Sequence, residues 1–508
     1  MRNRSRRTTT MWNIFVRYGS IVLAMVSGVI MVPLYLRFIP IDVYGAWLAS
    51  GNILAWLCLI DPGLTIVLNQ RVGHAYGKQD YSAIRELMGG GLVIAAITSI
   101  LVIMIGFVFA ITLPSLLKLS PSIDASVIKQ AFIIAAIGTS LMVFSFALFA
   151  INQGLQSSFG CGLISIICTA LSLIITIVLL YNGYGLLSLA ISSLFAGIFS
   201  ILGQSAYLMW RIVSEKIGIS FKVGGVFTLA KLLSFTLLSR VSGIISNNLD
   251  LIVVSRFIGP ETVSVLALTR KSVDFSKEFV NQPIVAFMPA VSHLSGAGEI
   301  DKAREVLMRL ARILLWLLGM VVGGLIIFNE DFVKLWVGPQ FFAGNTINLI
   351  LCGAVLFTLA SNCLAFLCFA LGNIKGSSLA GAAQSLLFIL LLIAGTQYFG
   401  LLGTVLAPLI AVLAVSAWYF PRSFSGLLKL SSQDIKDIIS EIFRTVATMV
   451  LLILLFSWLH PKGWLQFCVI AASYCFLYVG CICLASGNFR GEIKGIFNSL
   501  PNKITSYE

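Results

Sequence analysis

The sequence has little charge and few of the motifs that soluble enzymes use. Asp, Glu, Lys and Arg make up 11% of the 508 residues, against about 25% in soluble proteins. No Gly-Lys-Ser/Thr sequence occurs, so nucleotide-driven pumping by this chain itself is not expected. No Cys-x-x-Cys pair occurs, and the ten cysteines lie almost all in apolar stretches. Neither a metal site nor a disulfide framework is therefore predicted.

Long hydrophobic stretches are what the sequence does contain. Hydrophobic residues make up 58% of the chain, and stretches of about 20 apolar residues, enough to cross a bilayer, follow one another. This pattern excludes soluble enzymes, nucleic-acid-binding domains and disordered chains. It predicts an all-α polytopic membrane protein with about fourteen transmembrane helices, at 12–38, 45–70, 89–113, 130–152, 161–180, 186–210, 229–257, 261–291, 308–329, 346–371, 377–399, 401–420, 438–459 and 464–486.

The net charge of +14 is explained by the positive-inside rule, so no nucleic-acid partner is expected. With the N-terminus inside, 23 Lys and Arg residues fall in cytoplasmic segments and 6 in outer loops and outer helix ends. Both termini are therefore predicted to be cytoplasmic. The loops are short, which argues against a membrane glycosyltransferase or polymerase, since these need large loops to hold a donor and an acceptor.

An internal repeat with an offset of 219 residues relates the two halves of the sequence. Residues 37–39 and 256–258 both read Arg-Phe-Ile, and His74 aligns with His293 at the same offset. Because the repeat contains six spans, both copies enter the membrane in the same direction, and a pseudo-two-fold axis along the membrane normal is predicted. The predicted domains are a six-helix bundle over 1–215, a second over 216–425, and two additional helices with a cytoplasmic tail over 426–508.

The eighth predicted span carries six polar side chains on one side of the helix. At 100° per residue they fall within an arc of about 120°. A charged side chain at bilayer depth costs about 2.5–3.5 kcal/mol, so such a stripe has to face a watery cavity or a paired partner. The six residues are Arg270, Lys271, Asp274, Lys277, Glu278 and Asn281.

The cations of this region outnumber its carboxylates. Arg240 of the seventh span is expected at a similar depth and adds to Arg270, Lys271 and Lys277. This excess predicts an anionic ligand, and arginine in particular suits phosphate oxygens. The alternative, that neighbouring charges of the eighth span only neutralise one another, stays open for its carboxylates. The candidate ion-coupling residues are Asp274, Glu278, Asp61 and Asp250.

Residues 248–261, which end in Arg-Phe-Ile-Gly-Pro-Glu, resemble the D-x-x-x-[IV]-x-R-F-[LI]-G-P-E stretch of the Wzx-type polysaccharide flippases. These belong to the multidrug/oligosaccharidyl-lipid/polysaccharide (MOP) exporter superfamily, which has a MATE-like fold. The first copy departs from the pattern, since Pro40 and Asp42 follow its Arg-Phe-Ile.

The resemblance implies a transporter without an enzymatic reaction, in the inner membrane of a bacterium. Its substrate would be an undecaprenyl-pyrophosphate-linked oligosaccharide, such as an O-antigen unit, which moves from the cytoplasmic to the periplasmic leaflet through a cationic cavity. A polysaccharide polymerase and a chain-length regulator are the implied protein partners. No cofactor is implied; H⁺ or Na⁺ would be the coupling ion if one is used.

Three rival interpretations remain. A lipid II-type flippase would also have fourteen spans and a cationic lumen. A cation-coupled multidrug exporter of the same fold would be expected to have an acidic, apolar cavity, whereas this one is net basic. A membrane glycosyltransferase or polymerase is the rival from another class of protein.

The orientation predicts the behaviour of reporter fusions. A reporter that is active only outside the cytoplasm should be silent after each cytoplasmic position and active after each outer one, because basic loops stay inside. Activity after Arg304 would overturn the orientation and the parallel repeat. The silent positions are Arg85, Arg304 and Arg422, and the active ones are Ser120, Glu330 and Lys462.

Overall fold

The structure is a computed structural model in which the described residues form α-helices and no β-strand. They group into two compact units, one that ends at Ser264 and one that begins at Val265. The predicted limits at 215/216 and 425/426 stay predictions. The described residues are 19, 23, 27–57, 64–117, 124–155, 157–215, 217–218, 249–296, 300–370, 373–428 and 430–491.

The first unit contains eight helices and the beginning of a ninth. They are α1 (Ser27–Phe38), α2 (Ile41–Leu57), α3 (Leu64–Gly77), α4 (Tyr81–Leu116), α5 (Ala125–Gly154), α6 (Ser158–Tyr181), α7 (Leu187–Glu215), α8 (Asp250–Phe257) and α9 (Pro260–Gly296).

The second unit contains most of α9 and the helices that follow it. A 3₁₀ turn at Pro339–Phe341 comes before α11, and a π-helical turn at Val412–Ser416 joins α12 to α13. The helices are α10 (Ile300–Trp336), α11 (Asn345–Ala370), α12 (Ile374–Ala411), α13 (Ala417–Leu428), α14 (Ser432–Phe456) and α15 (Trp464–Ala485).

These helices confirm the all-α fold of about fourteen spans. Within the described ranges, nine helical stretches are long and apolar enough to cross a membrane. The predicted span 261–291 is not among the nine, although α9 has 37 residues. Its middle carries the charged stripe, which lowers its hydropathy. Most of the predicted span 229–257 lies outside the described residues.

A sharp turn separates two predicted spans where the sequence places their boundary, whereas two segments left outside the predicted spans extend neighbouring helices. The predicted spans 377–399 and 401–420 are separated by a sharp turn at Gly400, whose φ of 58° favours glycine. The hydroxyls of Thr396 and Thr404 approach to 2.9 Å across it. The amphipathic segments 81–87 and 300–307, which the sequence analysis leaves outside the spans, are the first turns of α4 and α10.

Small residues bring the helices of the first unit close together. A Cβ atom at Gly138 of α5 would lie 2.8 Å from the backbone of Ser193 in α7, and one at Gly197 of α7 would lie 2.8 Å from Leu141. Glycine therefore permits near-contact of the two backbones, as is common between membrane helices. Between α4 and α5, the hydroxyls of Ser99 and Ser140 each donate to the other residue's carbonyl, at 3.0 and 2.8 Å.

One contact in the first unit joins positions that are equivalent in the internal repeat. The hydroxyl of Ser264 donates to the carbonyl of Ile41 at 2.8 Å, and a Cβ atom at Gly45 would overlap the carbonyl of Pro260. The offset of 219 equates Ile41 with Pro260 and Gly45 with Ser264. The start of α2 and the start of α9 therefore cross through a self-complementary contact, as expected of duplicated elements.

In the second unit, α15 docks on α10 through two tyrosine hydroxyls. Tyr474 donates to the carbonyl of Met320 and Tyr478 to that of Trp316, both at 2.9 Å. Gly319 and Gly323 of α10 make room for these hydroxyl groups. Because a buried hydroxyl is costly without a partner, these bonds fix the register of the two helices.

The neighbouring glycines of α10 provide a test of this docking. A Cβ atom at Gly323 would collide with the Tyr474 hydroxyl and lie 3.0 Å from Met449, whereas one at Gly324 would make ordinary contacts at 3.5 and 4.0 Å. Gly323→Ala should therefore destabilise the protein by about 1–3 kcal/mol, measured by thermal unfolding in detergent. Gly324→Ala, the matched control, should be neutral or stabilising. Equal melting temperatures for the two variants would contradict the docking geometry.

Candidate functional site

The helix α9 carries the charged residues, and its start is favourable for a helix. Pro260 occupies the first position, where its missing N–H costs nothing. Glu261 follows in the first turn, where a negative charge complements the helix dipole. The helix then continues for 37 residues, so one rigid element holds the whole stripe.

Two neighbouring faces of α9 have different surroundings. Leu266, Val273 and Val280 are at most 1% exposed, and the latter two belong to the apolar core of the second unit. Beside this face, the predicted polar side chains are half-buried or exposed. The structure therefore brings together five predicted charged residues, namely Arg270, Lys271, Asp274, Lys277 and Glu278, together with Asn281.

Asp274 is shared by two cations. The Nε atom of Arg270 lies 3.1 Å from one of its carboxylate oxygens, and the Nζ atom of Lys277 lies 3.2 Å from the other. This is the charge-balancing arrangement that the sequence analysis left open. The side chain of Arg270 is 18% exposed and that of Lys277 is 33% exposed. Asp274 thus holds both cations in place on one face of α9.

Lys271 makes a different contact from its neighbours. Its ammonium group lies 5.3 Å from the centre of the Phe275 ring, which is within the range of a cation–π interaction. Glu278 is exposed. With three cations and two carboxylates, the five charged side chains carry a net charge of +1 at neutral pH.

Of the other predicted site residues, the structure describes Asp250 alone. Asp250 is the first residue of α8, in the first unit, where its carboxylate accepts the N–H of Leu251 at 2.9 Å. Asp61 and Arg240 lie outside the described residues. The roles predicted for these three residues therefore stay predictions.

A buried polar network, which the sequence analysis missed, lies on the core side of the stripe. Asn329 of α10 is 1% exposed. Its amide NH₂ donates to the carbonyl of Thr269 at 3.0 Å and to the side-chain oxygen of Asn348 at 2.7 Å. Its side-chain oxygen accepts from the hydroxyl of Ser272. An asparagine at the end of an apolar span was the available sequence signal.

A second missed residue is Glu441 of α14, a fully buried carboxylate. Four side-chain donors contact it at 2.9–3.1 Å, from Trp316, Arg444, Ser486 and Asn488. These donors join α10, α14 and the segment after α15. A glutamate inside a predicted span was again the signal, but its partners are distant in sequence. These four donors tie the three segments together around one carboxylate.

A cavity of about 370 Å³ lies between α10 and α14. Three of its lining residues are carboxylates and two are arginines, so its charge differs from that of the α9 stripe. Arg304 and Asp434 form an ion pair across it. In the described parts of the chain, no group of three or more His, Cys, Asp or Glu residues could hold a metal ion. The lining residues are Arg304, Glu305, Met308, Arg312, Asp434 and Asp437.

The fold is that of the MOP superfamily transporters. A structure titled as the lipid II flippase MurJ in an inward closed conformation matches with a TM-score of 0.61 and 17% identity, over 89% of this chain and 98% of that one. The Vibrio cholerae MATE transporter VcmN in its bent form matches with a TM-score of 0.56 and 16% identity, over 83% and 98%. The chain is thus a multi-pass membrane protein with the MOP, MATE-like fold.

The sequence itself matches a family described as polysaccharide biosynthesis protein, over residues 92–343. No curated protein matches the chain. A MOP superfamily transporter from Pyrococcus furiosus, whose title reports reverse polarity of the binding pocket, has a TM-score of 0.53 and 15% identity, over 83% of this chain and 95% of that one. The family match and the fold agree with the resemblance noted in the sequence.

Proposed function

We propose that this protein is a flippase for an undecaprenyl-pyrophosphate-linked oligosaccharide, such as an O-antigen unit. It moves the lipid-linked sugar from the cytoplasmic to the periplasmic leaflet of a bacterial inner membrane, by alternating access. Both chain termini lie in the cytoplasm, and no bond of the substrate is made or broken. A polysaccharide polymerase that consumes the flipped unit and a chain-length regulator are the proposed protein partners.

The observation that carries the proposal is the cationic stripe of α9 on a MOP fold. Arg270 and Lys271 are adjacent, half-buried and on a helix whose other face lies in the core. A diphosphate presents several oxygens and at least two negative charges, which an arginine fork and a lysine can bind together. Arg240, which the sequence predicts as a further cation of the cavity, belongs to the same proposal.

The rival functions differ in the charge that the binding site should carry and in the sugar that is transported. An exporter of organic cations would need an excess of carboxylates, whereas the stripe is net positive. A lipid II-type flippase is favoured by the fold of the MurJ structure and would share the diphosphate chemistry. The family match to polysaccharide biosynthesis proteins favours the O-antigen type of substrate.

The diphosphate assignment makes a direct prediction for surface polysaccharide. Arg270→Ala and Lys271→Ala should each lower its display at least about tenfold, since a lost charge-assisted hydrogen bond costs about 1.5–3 kcal/mol. Arg270→Lys should restore only part of the loss, because ammonium cannot form the two parallel bonds of a guanidinium. Display is measured by staining surface polysaccharide at matched protein levels in the membrane.

Lys334→Ala is the matched control, since Lys334 is also a cation of a long membrane helix but pairs with Glu330 of its own helix at 2.6 Å. It should leave the display unchanged. Full display from the Arg270→Ala, Lys271→Ala double variant would refute the assignment of the site.

The proposed coupling of flipping to an ion gradient can be tested with the purified protein in liposomes. Because Asp274 is held between two cations, we expect Asp274→Asn to weaken substrate binding. Glu278→Gln should instead remove the stimulation of flipping by a H⁺ or Na⁺ gradient, since it deletes the exposed carboxylate. Flipping of a fluorescent lipid-linked sugar is followed with and without each gradient.

Asp61→Asn and Asp250→Asn test the remaining carboxylates in the same assay. Loss of gradient stimulation in Asp61→Asn alone would move the coupling site to the N-terminal half. Stimulation that persists in all four variants would refute coupling by these carboxylates.

A further inference from the structure

The side chain of Asn329 forms hydrogen bonds with the residues that precede and follow the Arg270–Lys271 pair in the sequence. It donates to the carbonyl of Thr269 at 3.0 Å, immediately before Arg270. It accepts from the hydroxyl of Ser272, immediately after Lys271. One buried side chain of α10 therefore contacts the residues that flank the two cations in the sequence.

The network around Asn329 is itself fixed to other elements of the second unit. The Thr269 hydroxyl donates to the carbonyl of Phe341 at 3.1 Å and accepts the N–H of Ala343 at 2.9 Å. Asn348 of α11, which accepts from Asn329 at 2.7 Å, donates to the carbonyl of Leu325 at 3.4 Å. The helix α9 is thus held by Asn329 of α10, which is itself bonded to α11, and by the segment between α10 and α11 through the Thr269 hydroxyl.

Apolar packing alone determines the rotation of α9 about its axis less strictly than these hydrogen bonds do. Contacts of Val273 and Val280 with the core are non-directional, whereas hydrogen bonds weaken steeply with angle. A rotation of α9 would break the bonds at Thr269 and Ser272 together and leave buried polar groups without partners. Buried polar groups are known to select one arrangement of helices among several in this way.

We propose that Asn329 is a positioning residue for the Arg270–Lys271 pair. By holding Thr269 and Ser272, it fixes the rotation of α9 and hence the direction in which the two cations are presented to a diphosphate. The inference rests on the proposed function for its purpose. The geometric part concerns this chain alone and can be tested without a substrate.

The first measurement tests the geometry on the full-length protein in lipid nanodiscs. Lys271→Cys is treated with a charged, water-soluble thiol reagent, and modification at residue 271 is followed by mass spectrometry of its peptide. Adding Asn329→Leu or Ser272→Ala should change the reaction rate at least about threefold. Ser276→Ala is the matched control, because its hydroxyl bonds the carbonyl of Ser272 within the same helix, at 2.9 Å. An unchanged rate in both Asn329→Leu and Ser272→Ala would overturn the inference.

The second measurement tests the consequence for binding, with undecaprenyl diphosphate as the probe. Asn329→Leu and Ser272→Ala should weaken its affinity about tenfold in the otherwise unchanged protein. In the Arg270→Ala, Lys271→Ala background they should change it less than about twofold, since residues that act through one another are not additive. Equal losses in the two backgrounds would show a merely structural role and overturn the inference.

The two measurements separate this inference from the proposed function. If the thiol reaction changes as expected but Arg270→Ala, Lys271→Ala binds the diphosphate normally, the diphosphate site is refuted and the geometric role of Asn329 stands. If the double variant loses binding but the thiol reaction is unchanged, the diphosphate site stands and the positioning role is refuted. Ser272→Ala removes a single hydroxyl, so it gives an answer even if Asn329→Leu does not fold.

Discussion

A polar group at membrane depth has to find its hydrogen-bond partner inside the protein, because the hydrocarbon offers none. This constraint explains which polar residues join the helices of the second unit. Asn329 ties α9 to α10 and α11, Glu441 collects donors from three segments, and Tyr474 bonds a backbone carbonyl of α10. Each polar side chain therefore determines the relative register of two or more helices, which lipid-like apolar packing leaves loosely specified.

The helix α9 satisfies the same constraint in two ways at once. Its core face uses neutral groups, Thr269 and Ser272, which both bond to Asn329 of α10. Its charged face uses pairs within the helix itself, through Asp274. With three cations and two carboxylates, the charged face keeps a positive excess. An anionic substrate group would complete the charge balance of this face.

The helices α2 and α9, which correspond to each other in the internal repeat, differ in charge. At the offset of 219 residues, the helix α2 is the counterpart of α9, and the two starts still meet in a self-complementary contact at Gly45 and Ser264. Yet Gly51 and Asn52 occupy the positions that correspond to Arg270 and Lys271. The contact between the copies depends on small residues, which both copies kept. The charge depends on side chains that only the second copy carries.

The sequence by itself determined the class of fold and the composition of the charged stripe, because both depend on local periodicity. Twenty-residue apolar stretches have one stable solution in a bilayer, and a period of 3.6 residues places Arg270, Asp274 and Lys277 on one face. Only the tertiary structure decided which residues hold that face in place. The partners of Thr269 and Ser272 are 57 residues or more away in sequence, and no local pattern records such a pairing. The docking of Tyr474 on α10 was hidden for the same reason, since it depends on close approach between backbones rather than on hydropathy.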